Sequence, residues 1–273
     1  MKKTLMTTLV FIGYAIAAFQ FSSRGSVLLA QAKSSSVDVR PVRQGNDNPF
    51  IWVQRPSAKN DQGSGVGGGK FGGSNLCTGT KERLTAIVPM KDEKSILVQT
   101  AQTNPTFWFY VPYTAKLSAD FSLRDPKGKP FYKTTLILPR KQGLVGIKLP
   151  PGNLLKSGMY QWTFQVICNS QDRAADVYVS GTIEQVKPSS NSIPPSNTTA
   201  EKRAVLYAKD GLWSETLTTL IKEVRYKQPQ VGTELLTKLL GEYGLSSFAQ
   251  QPIVLESSVV QRNQLPTKMK GAQ

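Results

Sequence analysis

The residues with the strongest claim to chemistry form one run, Asn169-Ser170-Gln171-Asp172-Arg173-Ala174-Ala175-Asp176. It concentrates oxygen ligands between two strand-like segments. Carboxylate and amide oxygens of this kind suit Ca²⁺. Asp172 and Asp176 also have the residue types of an acid/base pair for glycosidic bonds. The plainer reading is turn chemistry, in which Asn and Asp side chains close a hairpin and Arg173 neutralises a carboxylate. That reading is preferred, because nothing in the sequence supplies a cleft or a raised pKa. A second candidate is the run Thr-Phe-Trp-Phe-Tyr-Val-Pro-Tyr at 106–113. Trp108, Tyr110 and Tyr113 would stack on sugars if exposed, whereas so apolar a strand favours core packing.

What is missing narrows the chemistry further. The 273 residues contain no histidine and two cysteines. Without imidazole there is no Ser-His-Asp or Cys-His nucleophile, and two thiols cannot complete a four-thiolate zinc site. Neither an S-x-x-K nor a G-x-S-x-G motif occurs. The stretch GSGVGGGKFGG invites a phosphate-loop reading and fails it. Ser64 stands where the first glycine is required and Phe71 where Ser or Thr must ligate Mg²⁺. No catalytic residue, metal or cofactor is therefore expected.

These residues need elements to position them. From Leu84 onward the chain reads as short β-rich runs closed by turn signals: Leu84–Val88, Thr106–Tyr113, a run through Phe121 and Leu123, Phe131–Leu138, Leu144–Leu149, Tyr160–Cys168, and a last strand through Val177, Val179 and Ile183. In the sixth, Tyr160, Trp162, Phe164, Val166 and Cys168 share one face at period two. Thr106–Tyr113, apolar on both faces, predicts a central strand or one under a cover. Gly181 marks a bulge or a close approach. The spacing predicts an antiparallel sandwich of immunoglobulin-like type. Tyr160, following Leu155–Met159, is either a tyrosine corner or a core aromatic at a strand start. Cys77 and Cys168 can pair only with each other, a bridge that suits an oxidising compartment.

After a Pro/Ser-rich segment at 188–198 the period becomes helical. Thr198 and Glu201 have capping-box spacing, and a first helix is expected over Thr199–Asp210, stopping at Gly211. A second carries Trp213, Leu217, Leu220, Ile221 and Val224 on one face, and a third spans about Val231–Tyr243. Ala204, Tyr207, Gly211, Leu212, Trp213 and Pro229 resemble one tetratricopeptide repeat, with Thr216 and a late Pro229 as departures. A plain helical hairpin is the alternative. Either way the unit cannot bury its own apolar face. Tyr207, Trp213 and Leu217 then mark the side that would dock on the sandwich, on the third helix or on another protein.

The remaining segments concern compartment. Lys2 and Lys3, the apolar run Leu5–Phe21 and the small residues Ala30 and Ala32 form a secretory leader over 1–32. With Lys2, Lys3 and Arg24 in the leader, the rest of the chain holds 31 basic and 18 acidic residues. In an exported protein that excess points to anionic envelope surfaces, such as acidic polysaccharide or lipopolysaccharide, and away from nucleic acid. Residues 33–76 are expected to be a flexible Gly/Ser-rich lead-in, 77–187 the sandwich, 199–245 the helical subdomain and 246–273 a flexible tail.

The succession NPTFWFYVPY, FYKTTLILP, GLVGIKLP, YQWTFQVICNSQDRAADVYVSGTIE and AEKRAVLYAKDGLWSETLTTL resembles the domain-of-unknown-function 928 family of cyanobacteria, over about Cys77 to Gly244. The resemblance implies an exported protein with this layout and implies no reaction. The leading expectation is a non-enzymatic periplasmic or envelope-associated interaction protein, with unidentified envelope proteins as partners and no membrane span after leader cleavage. A carbohydrate- or polyanion-binding module is the alternative, and a hydrolase using Asp172 and Asp176 the third.

Overall fold

The computed structural model describes residues 48–50, 63–67, 77, 79–188 and 193–258. In chain order the strands are β1 (Gly63–Ser64), β2 (Thr85–Ala86), β3 (Met90–Lys91), β4 (Lys94–Ser95), β5 (Val98–Thr100) and β6 (Thr106–Val111). They continue with β7 (Ser118–Arg124), β8 (Pro130–Ile137), β9 (Gly143–Lys148), β10 (Gly158–Ile167), β11 (Val177–Gln185) and β12 (Ile253–Ser258). Two sheets face each other, one ordered β5-β11-β10-β7-β8 and the other β12-β9-β6-β2, with a small third sheet β1-β4-β3. The protein is mainly β with C-terminal helices.

Side-chain alternation explains how the sheets meet. On β10, Tyr160, Trp162, Phe164 and Val166 are buried while Gln161 and Met159 are exposed. On β7, Ala119, Phe121 and Leu123 are buried between half-exposed polar neighbours. Phe107 and Phe109 of β6 meet them from the opposite sheet: Phe109 stacks on Phe164 at 4.4 Å between centroids, and Phe107 lies 4.9 Å from Phe121. Between these inward residues, Trp108 and Tyr110 point the other way and are also buried, at 2% and 0% exposure. The four-stranded sheet is therefore covered on its second face.

The cover is helical. α1 (Ala200–Lys209) runs back against α2 (Trp213–Thr219), which passes through a π-helical turn (Leu220–Val224) into the short α3 (Arg225–Lys227). α4 (Pro229–Gly241) follows, with Pro229 in its first turn, where the missing N–H costs nothing. Trp108 Nε1 donates to Thr218 Oγ1 at 3.1 Å, Trp213 Nε1 to the Ile87 carbonyl at 3.0 Å and Ser214 Oγ to the Thr106 carbonyl at 3.2 Å. Glu215 Oε1 accepts from Thr100 Oγ1 and from the backbone N–H groups of Ala101 and Gln102, tying the first turn of α2 to the end of β5.

Three local details of the sequence find their geometry. Lys156 N–H donates to Tyr160 Oη at 3.0 Å, which makes Tyr160 a corner that pins the crossing before β10. Cys77 and Cys168 are bridged, with Cα atoms 5.3 Å apart. At Gly181 a Cβ would lie 2.4 Å from the Trp162 ring, so the residue marks a close approach.

Several expectations are corrected. The sandwich is not wholly antiparallel: β5 joins β11, and β12 joins β9, in parallel. Residues 246–258, assigned to a flexible tail, form a 3-10 turn (Ser246–Gln250) and the edge strand β12. The lead-in is not wholly unstructured, because β1 pairs with β4 and Phe50 is buried at 1% exposure. The cap of α1 is Thr199, one residue later than expected, with its hydroxyl accepting from Lys202 N–H. The leader, the rest of the lead-in, 189–192 and 259–273 lie outside the described residues.

Candidate functional site

The structure disperses the residues that looked chemical. Trp108, Tyr110 and Tyr113 are all buried, at 5% exposure or less, so none offers a ring face to a sugar. Burial, reinforced by a hydrogen bond to Glu82, pushes the Tyr110 phenol up, and burial pushes Tyr113 up to about 12. Both rings stay neutral packing groups. Trp213 and Leu217, marked for docking a partner, are each 2% exposed and belong to the internal seam between α2 and the four-stranded sheet. Tyr207 is half-buried on α1.

The oxygen-rich run resolves into turn chemistry. Asp172 caps the 3-10 turn Arg173–Ala175 by accepting from Ala174 N–H. Asp176 is 5% exposed and accepts from Cys168 N–H at 3.1 Å, Gln165 Nε2 at 2.8 Å and Arg173 Nε at 2.5 Å. Three donors occupy most of the carboxylate's four lone-pair sites, so Asp176 serves to hold the loop together, as the turn reading expects. Among the described residues no cluster of three or more acidic or thiol groups has the arrangement of a metal site. The pairing of Arg173 with Asp176 does one further thing. It holds the guanidinium out of the loop toward β7, where NH2 lies 3.6 Å from Asp120 Oδ2.

That contact leads to a face the sequence reading did not single out. Among the described residues no helical layer covers the outer side of the five-stranded sheet, and polar side chains line up there in cross-strand rows. Gln165, Asp120 and Thr135 form one row across β10, β7 and β8, and Thr163, Ser122 and Lys133 the next. Arg124 follows Ser122 along β7. Adjacent strands are ~5 Å apart and same-face residues ~7 Å apart along a strand, so these groups make a regular grid. A cleft of about 210 Å³ lies over it, lined by Asp120, Ser122, Arg124, Lys133, Thr163 and Gln165, among others.

The electrostatics of the grid are mixed. Partial burial pushes the Asp120 carboxyl up. The Thr135 hydroxyl bond and the Lys133 and Arg173 charges outweigh that and hold it below its ordinary value. Asp120 is thus ionised but compensated, with Thr135 Oγ1 at 2.7 Å and Lys133 Nζ at 3.5 Å. Lys133 itself is two-thirds exposed. The side-chain hydroxyls of Ser122 and Thr163 make no hydrogen bond among the described residues. Along the chain that carries β7, β8 and β9 the charge is strongly one-sided. Residues 116–148 hold eight basic side chains, all exposed, against Asp120 and Asp125. The sequence signal was present in the alternation of SADFSLR and QWTFQV, but polar residues at every second strand position are what any solvated sheet face shows.

Two solved structures show a weak likeness to the chain. One is the CARDB domain of a Pyrococcus furiosus protein in complex with di-metal ions, at 13% identity over 33% of this chain and 79% of that one, with a TM-score of 0.22. The other is the C-terminal domain of wzt, at 14% identity over 50% and 86%, with a TM-score of 0.25. No curated protein matches the sequence. A family model described as Domain of Unknown Function (DUF928) matches residues 66–253, from the Val66 bridge onto β2 to the first residue of β12, and the chain belongs to that family.

Proposed function

We propose that this is an exported, non-enzymatic binding protein of the cell envelope that holds an acidic polymer on the outer face of its five-stranded sheet. The observation that carries the reading is the contrast in cover. One outer face of the sandwich is sealed by helices, while the other, among the described residues, carries an uncovered grid of polar groups with Arg124 of β7, Lys127 and Lys129 of the following turn and Lys133 of β8 all exposed. Such a field attracts polyanions and weakens with salt. Export is supported by the leader pattern at 1–32 and by the Cys77–Cys168 bridge, which persists in an oxidising compartment.

In this reading the immunoglobulin-like strand pattern supplies a rigid platform, and the source is a cyanobacterium. The tetratricopeptide-like hairpin α1–α2 serves as a lid for the second sheet, its Trp213 and Leu217 turned onto the protein itself. Docking of an envelope protein through those two residues loses its support, and so does hydrolysis through Asp172 and Asp176. The test is retention of the purified exported protein on immobilised acidic polysaccharide and lipopolysaccharide across a salt gradient. Retention at low salt that is lost as salt rises is expected, and no retention at low salt would end the proposal.

A further inference from the structure

Resting on that reading, we infer that the cleft across β7, β8 and β10 is a subsite for one carboxylate-bearing sugar ring of such a polymer. The argument starts from what the floor offers. Ser122 and Thr163 sit opposite each other in one cross-strand row, each half-exposed, with hydroxyls uncommitted among the described residues. A hydroxyl both donates and accepts, so a pair at strand spacing suits vicinal hydroxyl groups on a ring. Lys133 extends the same row on β8 and Arg124 lies one row along β7, both exposed. They supply cationic donors at the rim where a ring carboxylate would sit, and their bonds to it would be charge-assisted.

Asp120 sharpens the choice of ligand. Its ionised carboxylate forms part of the cleft wall, held there by Thr135, Lys133 and Arg173. A ligand with dense charge, such as polyphosphate, would set its anions against this carboxylate. A ring with neutral hydroxyls and a single carboxylate instead lets Asp120 and Gln165 accept from hydroxyls while the charge goes to Lys133 and Arg124. The volume agrees. At about 210 Å³ the cleft is smaller than the ~300–1,000 Å³ of sites that engulf a whole small molecule, which fits one ring of a chain lying along the sheet.

The experiment compares the full exported protein and two double variants on three soluble polymers: polygalacturonate, its methyl ester and polyphosphate. The wild type is expected to bind polygalacturonate and not the ester. Ser122→Ala with Thr163→Ala should weaken polygalacturonate binding about tenfold, the scale of one or two hydrogen bonds, and leave polyphosphate binding unchanged. Arg140→Ala with Lys141→Ala, outside the cleft, should lower binding of both anionic polymers by the same factor. If the Ser122/Thr163 variant binds polygalacturonate like the wild type, the subsite is overturned while general polyanion binding stands; if the ester binds as well as the acid, charge does not carry the binding and both readings fall. If the wild type binds neither anionic polymer, both readings fall.

Discussion

The two outer faces of the sandwich have had opposite fates. On the four-stranded sheet, β6 is buried at all six positions and β9 at five of six, because helices lie over the residues that point away from the sandwich core. On the five-stranded sheet, β7 and β10 bury alternate residues and leave the others, polar apart from Met159 and Ile167 at the two ends of β10, without a helical cover among the described residues. Hydrophobic burial stabilises the first face, and no comparable gain is available on the second. A face that contributes little to folding is free to keep hydroxyls, an amide and opposite charges in a fixed grid. The difference separates a surface that holds the fold together from one on which the fold does not depend.

The contrast is broken most severely at Trp213. Its side chain is 2% exposed, its Nε1 donates to the Ile87 carbonyl, and its ring meets Tyr243 edge-on at 5.5 Å. Trp213→Ala should cost about 3–5 kcal/mol in chemical denaturation, the usual range for a large buried aromatic. It should also raise the affinity for a dye that reports exposed apolar surface. A loss below about 1 kcal/mol would mean that the helices cover the sheet without stabilising it.

How much of this was legible in the sequence follows from which forces act locally. The apolar-on-both-faces run of β6 calls for a central strand or a cover, and the Tyr160–Val166 alternation for an inner face, because strand periodicity is written residue by residue. The identity of the cover was not written there: Trp213 and Leu217 read as an apolar stripe, and a stripe does not name what lies against it. β12 escaped because IVLESS is short and pairs in parallel with β9, a partner remote in sequence. The glycine-rich composition of the lead-in predicts mobility. At Gly63 a Cβ would fall 2.2 Å from the Ser180 carbonyl oxygen, so this glycine permits contact. The grid was hidden for the opposite reason, since Ser122, Thr163 and Asp120 look like any solvated strand face until the register aligns them.

A smaller effect is expected at Glu215, where the cover is latched to β5. The carboxylate is 3% exposed, and Glu215→Ala would strand the Thr100 hydroxyl and two backbone N–H groups, costing about 2–4 kcal/mol. Desolvation by burial raises its pKa above the ordinary 4.5, against the opposing pull of its hydrogen bonds. The folded state thus binds the proton more tightly than the unfolded one. This group's contribution to stability is fullest below the unfolded value and declines as pH rises through the folded one. Glu215→Gln, which keeps an acceptor and does not titrate, should remove that slope from a plot of unfolding free energy against pH. An unchanged slope in the variant would show that the carboxyl is not what responds.

The smallest effect is expected on the bare face, and there smallness is the point. Ser122→Ala with Thr163→Ala removes two half-exposed hydroxyls that hold no partner among the described residues, so the unfolding free energy should shift by less than about 0.5 kcal/mol. A structural role would show as a larger loss in the same denaturation series used for Trp213→Ala. Both substitutions sit on sandwich strands, one residue from a core side chain: Ser122 lies between Phe121 and Leu123, and Thr163 between Trp162 and Phe164. If the fold ignores them while polygalacturonate binding falls, the grid is held in place by the core beneath it but does not itself hold the core. That asymmetry is what a binding face on a sandwich requires.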